Sequence, residues 1–166
     1  MSQKTVGVIG AGVMGTGVAQ NLAQSGFKVV LIDINDSVLK HCEEEIRKNV
    51  RFSAFYAKDK SKIEPVDTVL ARIEFTTDYS RLSDAYFVVE NASEKWEIKQ
   101  AVYPLIDQYA PAEARVAADT SCFSITRLAS LTKRPDKIIG MHFMNPVPMK
   151  PAVEVIKGYH LSLIHI

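Results

Sequence analysis

The chain has 166 residues, of which 47% are hydrophobic and 23% are charged, and its formal net charge is +1. This length is enough to bury the core of one globular domain. The balanced charge argues against a nucleic-acid surface, and no apolar run approaches the roughly 20 residues of a membrane span. The two cysteines, Cys42 and Cys122, lack metal-ligand spacing. We therefore expect a cytoplasmic protein that binds neither nucleic acid nor membrane and holds no metal.

The first predicted element is a short apolar strand from Thr5 that leads directly into a glycine-rich turn and a helix. The turn has the spacing G-x-G-x-x-G, and the residues expected at a cofactor there are Gly10, Gly12, Val13, Met14 and Gly15. The first glycine permits the tight turn, the second lets the backbone approach a pyrophosphate, and the third lets the helix pack closely on the strand. The N–H groups that open the helix have no partner within it and are available to phosphate. The segment predicts a dinucleotide site.

A second apolar strand, residues 27–32, follows this helix and ends at Asp33. An acidic residue roughly 20 positions beyond the glycines is where the ribose hydroxyls of a dinucleotide are bound. A carboxylate there repels the 2′-phosphate of NADP, and the next residues, Ile34 and Asn35, offer no arginine to bind it. The predicted cofactor is NAD.

Strands and helices continue to alternate along the rest of the chain. Helices are predicted from Asp36 or Ser37 to about Val50 and over 66–72, 95–109 and 124–131. Strands are predicted over 73–75, 86–89, 114–118, 137–141 and 152–156. This alternation predicts an α/β fold with a Rossmann-type, doubly wound, mostly parallel sheet and an antiparallel addition at its C-terminal end.

A candidate catalytic pair lies near the end of the chain. His142 follows a predicted strand, at the edge of a parallel sheet where ligands bind. If the next strand folds back beside it, Glu154 comes close to His142, and a carboxylate on one imidazole nitrogen makes the other a base suited to neutral pH. The alternative from the residues alone is an ordinary polar histidine at a strand end.

The sequence resembles the NAD-binding domain of the L-3-hydroxyacyl-CoA dehydrogenase family, which includes the 3-hydroxybutyryl-CoA dehydrogenases. The resemblance runs from Thr5 to about Lys157. It rests on the glycine segment, on Asp-Thr-Ser at 119–121, on His-Phe-Met-Asn-Pro-Val-Pro at 142–148 and on Val-Glu-Val-Ile at 153–156. It implies an enzyme of fatty-acid metabolism that oxidises an (S)-3-hydroxyacyl-CoA to the 3-oxoacyl-CoA with NAD, and an NAD-binding domain over residues 1–158.

The resemblance also assigns roles to individual residues. His142 corresponds to the catalytic base and Glu154 to its orienting partner. Ser121 corresponds to a serine that hydrogen-bonds the substrate oxygen, and Asn145 to an asparagine near the reacting centre. Glu94 and Lys99 fall on positions close to the cofactor, at the start of a helix; a solvated charged helix start is the alternative.

The sequence departs from the family pattern in two respects that matter here. Asp119 stands where asparagine is usual, which places an extra carboxylate near the nicotinamide pocket. The family's C-terminal helical domain has no counterpart, and residues 159–166 are expected to be an artefactual or unstructured tail, with a genuine apolar tail as the alternative. Because that domain forms one wall of the acyl-CoA cleft and most of a homodimer interface, the chain alone is expected to be inactive.

Several interpretations stay open from the sequence. The basic stretch 51–62 either reaches toward CoA phosphates or is a solvated loop. Cys122 is expected to be a small buried residue and not a nucleophile, and Trp96 and Tyr103 are expected in the core. The alternative functions are a dehydrogenase of non-CoA 3-hydroxy acids and a dinucleotide-binding module without catalysis.

Overall fold

The computed structural model describes residues 3–56 and 64–161. Its strands are β1 (Thr5–Ile9), β2 (Lys28–Ile32), β3 (Ile73–Thr76), β4 (Ala85–Glu90), β5 (Arg115–Ala118), β6 (Ile138–Phe143) and β7 (Val153–Lys157). Its α-helices are α1 (Val13–Gln24), α2 (Asp36–Tyr56), α3 (Val66–Leu70), α4 (Trp96–Tyr109) and α5 (Ile125–Ala129). Short 3₁₀ segments lie at Tyr79–Asp84, Pro135–Lys137 and Val147–Met149.

All of these strands belong to one seven-stranded sheet with the order β3-β2-β1-β4-β5-β6-β7. The pairs from β3 through β6 are parallel, and β7 is antiparallel to β6. The strand order reverses between β1 and β4, which creates the crevice where doubly wound sheets bind their ligands. The predicted fold class and its antiparallel addition are confirmed.

Helices cover both faces of the sheet, which is why its central strands are apolar on both sides. On one face, α2 contributes a stripe at helical spacing that consists of Leu39, Cys42, Ile46 and Val50. On the other face, α4 contributes Val102, Tyr103 and Ile106, and α5 contributes Ile125 and Leu128. The sheet is held from both sides, so the loops at the carboxyl ends of its strands project from a rigid base.

The structure adds two features to the predicted elements. Helix α2 continues to Tyr56, beyond the last predicted apolar position, Val50. The connection from β3 to β4 contains a 3₁₀ turn, where Asp78 Oδ1 accepts a hydrogen bond from the Ser80 N–H at 2.8 Å. Residues 57–62, half of the basic stretch 51–62, lie outside the described residues, so its predicted contact with CoA stays a prediction.

The segment after β7 packs against α5. The Tyr159 N–H donates to Thr126 Oγ1 at 2.9 Å, and the Leu161 side chain is buried. The first residues of the predicted tail are therefore in contact with the domain, whereas residues 162–166 lie outside the described part of the chain.

Candidate active site

A cavity of about 800 Å³ lies along the carboxyl ends of the parallel strands. Its walls come from the segments that follow β1, β2, β4, β5 and β6, which is the ligand-binding edge of an open α/β sheet. Most of the predicted site residues line it: Gly10, Gly12, Val13, Met14, Asp33, Glu94, Ser121, His142 and Asn145. Gly15, Lys99 and Glu154 are not in its lining.

The turn between β1 and α1 contains three glycines, and at two of these positions only glycine fits. Gly10 has a φ of +93°, and a Cβ there would lie 2.6 Å from the Asn91 carbonyl oxygen. A Cβ on Gly15 would lie 1.7 Å from the Gly10 carbonyl oxygen, so α1 packs directly on the turn. A Cβ on Gly12 would meet no atom within 4 Å. Gly12 therefore leaves open space on the cavity side, where a ligand can approach the backbone.

The first turn of α1 faces this open space without a capping side chain. The N-cap residue is Gly12, which has no side chain to accept a hydrogen bond from the helix N–H groups. The first turn of α1 contains no acidic residue. The exposed N–H groups and the positive end of the helix dipole therefore remain available to an anion. The arrangement fits a pyrophosphate.

Asp33 follows β2 and is held in place by backbone hydrogen bonds. Its Oδ2 accepts from the Ala11 N–H at 2.8 Å, and its Oδ1 accepts from the Asn35 N–H at 3.2 Å. The carboxylate thus lies beside the glycine turn and lines the cavity. Each oxygen has a second lone pair that is free to accept from ligand hydroxyls.

Beneath the cavity, Glu90 at the end of β4 forms a buried ion pair with Lys99 of α4. The Lys99 Nζ lies 2.9 Å from both carboxylate oxygens of Glu90, and both side chains are 0% exposed. Burial raises the pKa of Glu90, against the opposing effect of the Lys99 ammonium. The Lys99 Nζ also donates to the Ala92 carbonyl at 3.1 Å, so the pair ties the loop after β4 to α4.

Glu94 extends this network to the cavity wall. Its Oε1 accepts from Thr120 Oγ1 at 2.7 Å and from the Ser121 N–H at 3.0 Å, and its Oε2 lies 3.5 Å from the Lys99 Nζ. Burial alone would raise the pKa of Glu94, but these hydrogen bonds and the Lys99 charge lower it. The ionised Glu94 therefore fixes the backbone of Ser121 at the cavity.

The predicted pair His142 and Glu154 meets across the two strands at the C-terminal edge of the sheet. The two residues are register partners in the antiparallel β6–β7 pair, and Nδ1 of His142 lies 2.8 Å from Oε2 of Glu154. Because Glu154 occupies Nδ1, the other ring nitrogen is the one left for a ligand. His142 lines the cavity together with Ser121 and Asn145.

The comparisons with known proteins agree with this architecture. Residues 5–163 match the family model described as 3-hydroxyacyl-CoA dehydrogenase, NAD binding domain. The chain belongs to this family. The resemblance stated from the sequence is confirmed, and so is NAD as the cofactor of the domain.

Among the curated members of the 3-hydroxyacyl-CoA dehydrogenase family, the 3-hydroxybutyryl-CoA dehydrogenase of Bradyrhizobium diazoefficiens is 44% identical over 156 residues, covering 93% of this chain and 52% of the relative. The 3-hydroxybutyryl-CoA dehydrogenase of Clostridioides difficile is 39% identical over 157 residues, covering 95% and 55%. The crystal structure of (S)-3-hydroxybutyryl-CoA dehydrogenase from Ralstonia eutropha superimposes with a TM-score of 0.91 at 36% identity, covering 99% of this chain and 57% of that one. The chain spans about half the length of these relatives.

In this member of the 3-hydroxyacyl-CoA dehydrogenase family, the structure corrects three expectations, those for Cys122, Lys99 and Trp96. Cys122 is exposed, not buried, because the segment after β5 turns outward at Ser121. Lys99 is buried in the pair with Glu90, so it supports the cavity from beneath and does not line it. Tyr103 is in the core as predicted, whereas Trp96 is only half-buried and has the Arg127 guanidinium 3.8 Å from its ring centre.

Sequence reasoning missed Glu90, although a signal for the pair was present. Lys99 precedes Val102, Tyr103 and Ile106 at helical spacing, so it lies on the buried face of α4 and requires a buried partner. Within the described residues, no cluster of His, Cys, Asp and Glu could hold a metal ion, and no helix is long and apolar enough to cross a membrane.

Proposed function

We propose that this chain is the cofactor-binding part of an enzyme that oxidises an (S)-3-hydroxyacyl-CoA to the 3-oxoacyl-CoA with NAD. One observation carries the proposal. The same cavity is lined at one end by Gly12 and Asp33 and at the other by His142, whose ring is held by Glu154. A dinucleotide site and an oriented imidazole base thus share one space.

The topology orients the cofactor in this cavity. In a doubly wound sheet, the adenosine half lies over the first βαβ unit and the nicotinamide half lies across the switch point. Asp33 would then bind the adenosine ribose, the start of α1 would bind the pyrophosphate, and the ends of β4, β5 and β6 would surround the nicotinamide. The carboxylate of Asp33 disfavours a 2′-phosphate, which supports NAD over NADP.

The residues at the nicotinamide end would perform the proton transfer. The free ring nitrogen of His142 takes the proton of the substrate 3-hydroxyl, and Glu154 stabilises the imidazolium that results. As the C3–O bond becomes a carbonyl, the hydrogen on C3 leaves with its electron pair. The nicotinamide, when bound, supplies the acceptor for that hydride. Ser121 and Asn145 would hold the substrate oxygen in line with the imidazole.

Glu94 and Lys99, the two charged residues assigned to cofactor binding, differ in whether they reach the cavity. Glu94 lines the cavity and can contact the nicotinamide half directly. Lys99 would act as a positioning residue, since its ammonium holds Glu90 and Glu94 from beneath.

The remaining parts of the proposal concern the whole protein. We assign residues 1–158 to the NAD-binding domain and residues 159–166 to a tail, and the acyl-CoA cleft and homodimer interface would require a further helical domain. This chain alone would bind NAD but turn over little substrate. The whole protein would act in fatty-acid metabolism in the cytoplasm.

Two measurements test the proposal. The 166-residue chain is titrated with NADH by fluorescence, and binding is expected. A hybrid then joins residues 1–157 to the part of the Bradyrhizobium relative that follows the matched region. This hybrid should oxidise (S)-3-hydroxybutyryl-CoA with NAD, and its His142→Gln variant should not. A hybrid that is folded and binds NADH, yet is inactive toward acyl-CoA substrates of several lengths, would contradict the assignment.

A further inference from the structure

Asp119 carries a carboxylate oxygen that the chain itself does not satisfy. It follows β5, and its backbone N–H donates to the Glu90 carbonyl at 2.9 Å. Its Oδ1 accepts from the Phe143 N–H at 3.1 Å, which fixes the carboxyl group between the ends of β4 and β6. Its Oδ2 is buried and has no hydrogen-bond partner among the residues that the structure describes. Asp119 is 9% exposed and lines the cavity beside His142.

Three titratable side chains on different parts of the fold surround Asp119. His142 faces it from β6, Lys99 from α4, and Glu94 from the loop before α4. Lys99 is already engaged by Glu90 and Glu94, and the His142 Nδ1 is engaged by Glu154. Burial raises the pKa of Asp119, and the Phe143 N–H, His142 and Lys99 only partly offset this. The Lys99 ammonium is thus shared by two other carboxylates, and the negative charge of Asp119 has no cation of its own among the described residues. This charge is suited to a ligand that brings positive charge.

We propose that Asp119 is a specificity-determining residue that favours the oxidised over the reduced cofactor. Asp119 lines the cavity at the end where Ser121 and His142 also lie, and the nicotinamide ring carries a positive charge in NAD⁺ that NADH lacks. A fixed carboxylate therefore attracts the nicotinamide ring of NAD⁺ and does not attract that of NADH. The inference depends on the proposed function in one respect, the placement of the nicotinamide over the ends of β5 and β6.

The expected size of the effect follows from Coulomb's law. At about 10 Å and an effective dielectric constant of about 20, one pair of opposite unit charges changes a binding constant roughly tenfold. The effect exists only while Asp119 is ionised. Since NAD⁺ favours the ionised carboxylate, the preference for NAD⁺ should decrease as the pH falls through the pKa of Asp119.

The test measures dissociation constants of NAD⁺ and NADH by calorimetry at about pH 8 for the 166-residue chain and for Asp119→Asn. The amide keeps the acceptor for the Phe143 N–H and removes the charge. Glu113→Gln is the matched control, because this exposed carboxylate precedes β5 and lies roughly 20 Å away along the strand. The Kd ratio of NAD⁺ to NADH should rise about tenfold in Asp119→Asn and should not change in Glu113→Gln.

The possible outcomes separate this inference from the proposed function. A folded Asp119→Asn variant with an unchanged ratio overturns the inference while leaving the proposed function intact. Failure of the unmodified chain to bind either cofactor overturns both. If thermal melts show that Asp119→Asn is unfolded, the ratio is measured against pH in His142→Gln and in His142→Gln/Glu94→Gln, where neither the imidazole nor the other carboxylate of this end of the cavity titrates. A ratio that rises as the pH falls then supports the inference, and a constant ratio contradicts it.

Discussion

His142 and Glu154 are directly opposite each other in the antiparallel β6–β7 pair, with Nδ1 and Oε2 2.8 Å apart. Successive residues of a strand point to opposite faces, so a slip of one residue in β7 would turn Glu154 away from the imidazole. The connection through the 3₁₀ turn Val147–Met149 sets this register, and it is anchored on α1, where Asn21 Nδ2 donates to the Val147 carbonyl at 3.3 Å. The orientation of the proposed base therefore depends on how this loop packs on the cofactor-binding helix.

The first prediction concerns this pair in the active hybrid. His142→Gln should lower kcat about 10²–10⁴-fold, the usual effect of losing a positioned general base, and leave NADH affinity unchanged. Glu154→Gln should cost less, because the imidazole remains. The double variant should be little worse than His142→Gln alone, since the two residues act as a unit.

Steady-state kinetics with (S)-3-hydroxybutyryl-CoA provide the measurement. His41→Gln, the same change at an exposed position on α2, is the control and should leave kcat unchanged. If the two single effects instead multiplied in the double variant, His142 and Glu154 would act independently and the dyad would have to be abandoned.

The second prediction concerns cofactor choice. The unmodified chain should bind NADH roughly tenfold or more tightly than NADPH, because like charges in a partly desolvated site repel. Asp33→Asn should reduce this preference, since the amide keeps an acceptor for the Ala11 N–H but loses the charge. Fluorescence titrations with both cofactors measure the ratio. Asp36→Asn, an exposed carboxylate in the first turn of α2, should not change it. Equal affinities of the unmodified chain for the two cofactors would contradict the role of Asp33.

Much of the fold and part of the site could be predicted because they depend on local patterns. The glycine spacing, the acidic residue after β2 and the alternation of apolar runs with helical stripes each have a direct structural cause. The pairing of His142 with Glu154 was predictable once a strand was expected to fold back, because an antiparallel neighbour places the two strands side by side.

The partner of Lys99 is harder to predict than its burial. Helical spacing places Lys99 on the buried face of α4, but nothing in the sequence identifies Glu90, at the end of β4, as the carboxylate that it meets. The free oxygen of Asp119 is likewise a result of three strand ends converging. Cys122 was expected to be buried, but it is exposed. The expectation was wrong because the loop after β5 turns outward at this residue.

The third prediction concerns the buried Glu90–Lys99 pair. Lys99→Met should destabilise the domain by about 3–5 kcal/mol, because it leaves the Glu90 carboxylate buried without its partner. Adding Glu90→Gln to it should recover part of that loss. Urea denaturation of the variants measures these differences. Glu74→Gln is the control, since it breaks the exposed pair with Arg81 and should leave the urea midpoint almost unchanged. A Lys99→Met variant as stable as the control would show that the ion pair is dispensable.

The fourth prediction is that Gly12 is needed to bind the cofactor, whereas Gly15 is needed for a stable fold. Gly15→Ala should lower Tm by about 5 °C or more, because its methyl group would collide with the Gly10 carbonyl and force α1 away from the turn. Gly12→Ala should leave Tm within about 2 °C, since its φ of −70° suits alanine and its Cβ meets no atom within 4 Å. Its methyl group nevertheless occupies the space through which a pyrophosphate approaches the backbone, so NADH affinity should fall about tenfold or more.

Thermal melts and NADH titrations of the two variants decide the fourth prediction, and each variant is the control for the other. The expected result is a cross-over in which Gly12→Ala folds normally but binds poorly, while Gly15→Ala loses stability first. If Gly12→Ala bound NADH as tightly as the unmodified chain, the pyrophosphate would not approach the start of α1. The uncapped N-terminus of that helix would then have no role in binding the cofactor, and the proposed orientation of the nicotinamide toward His142 would lose its anchor.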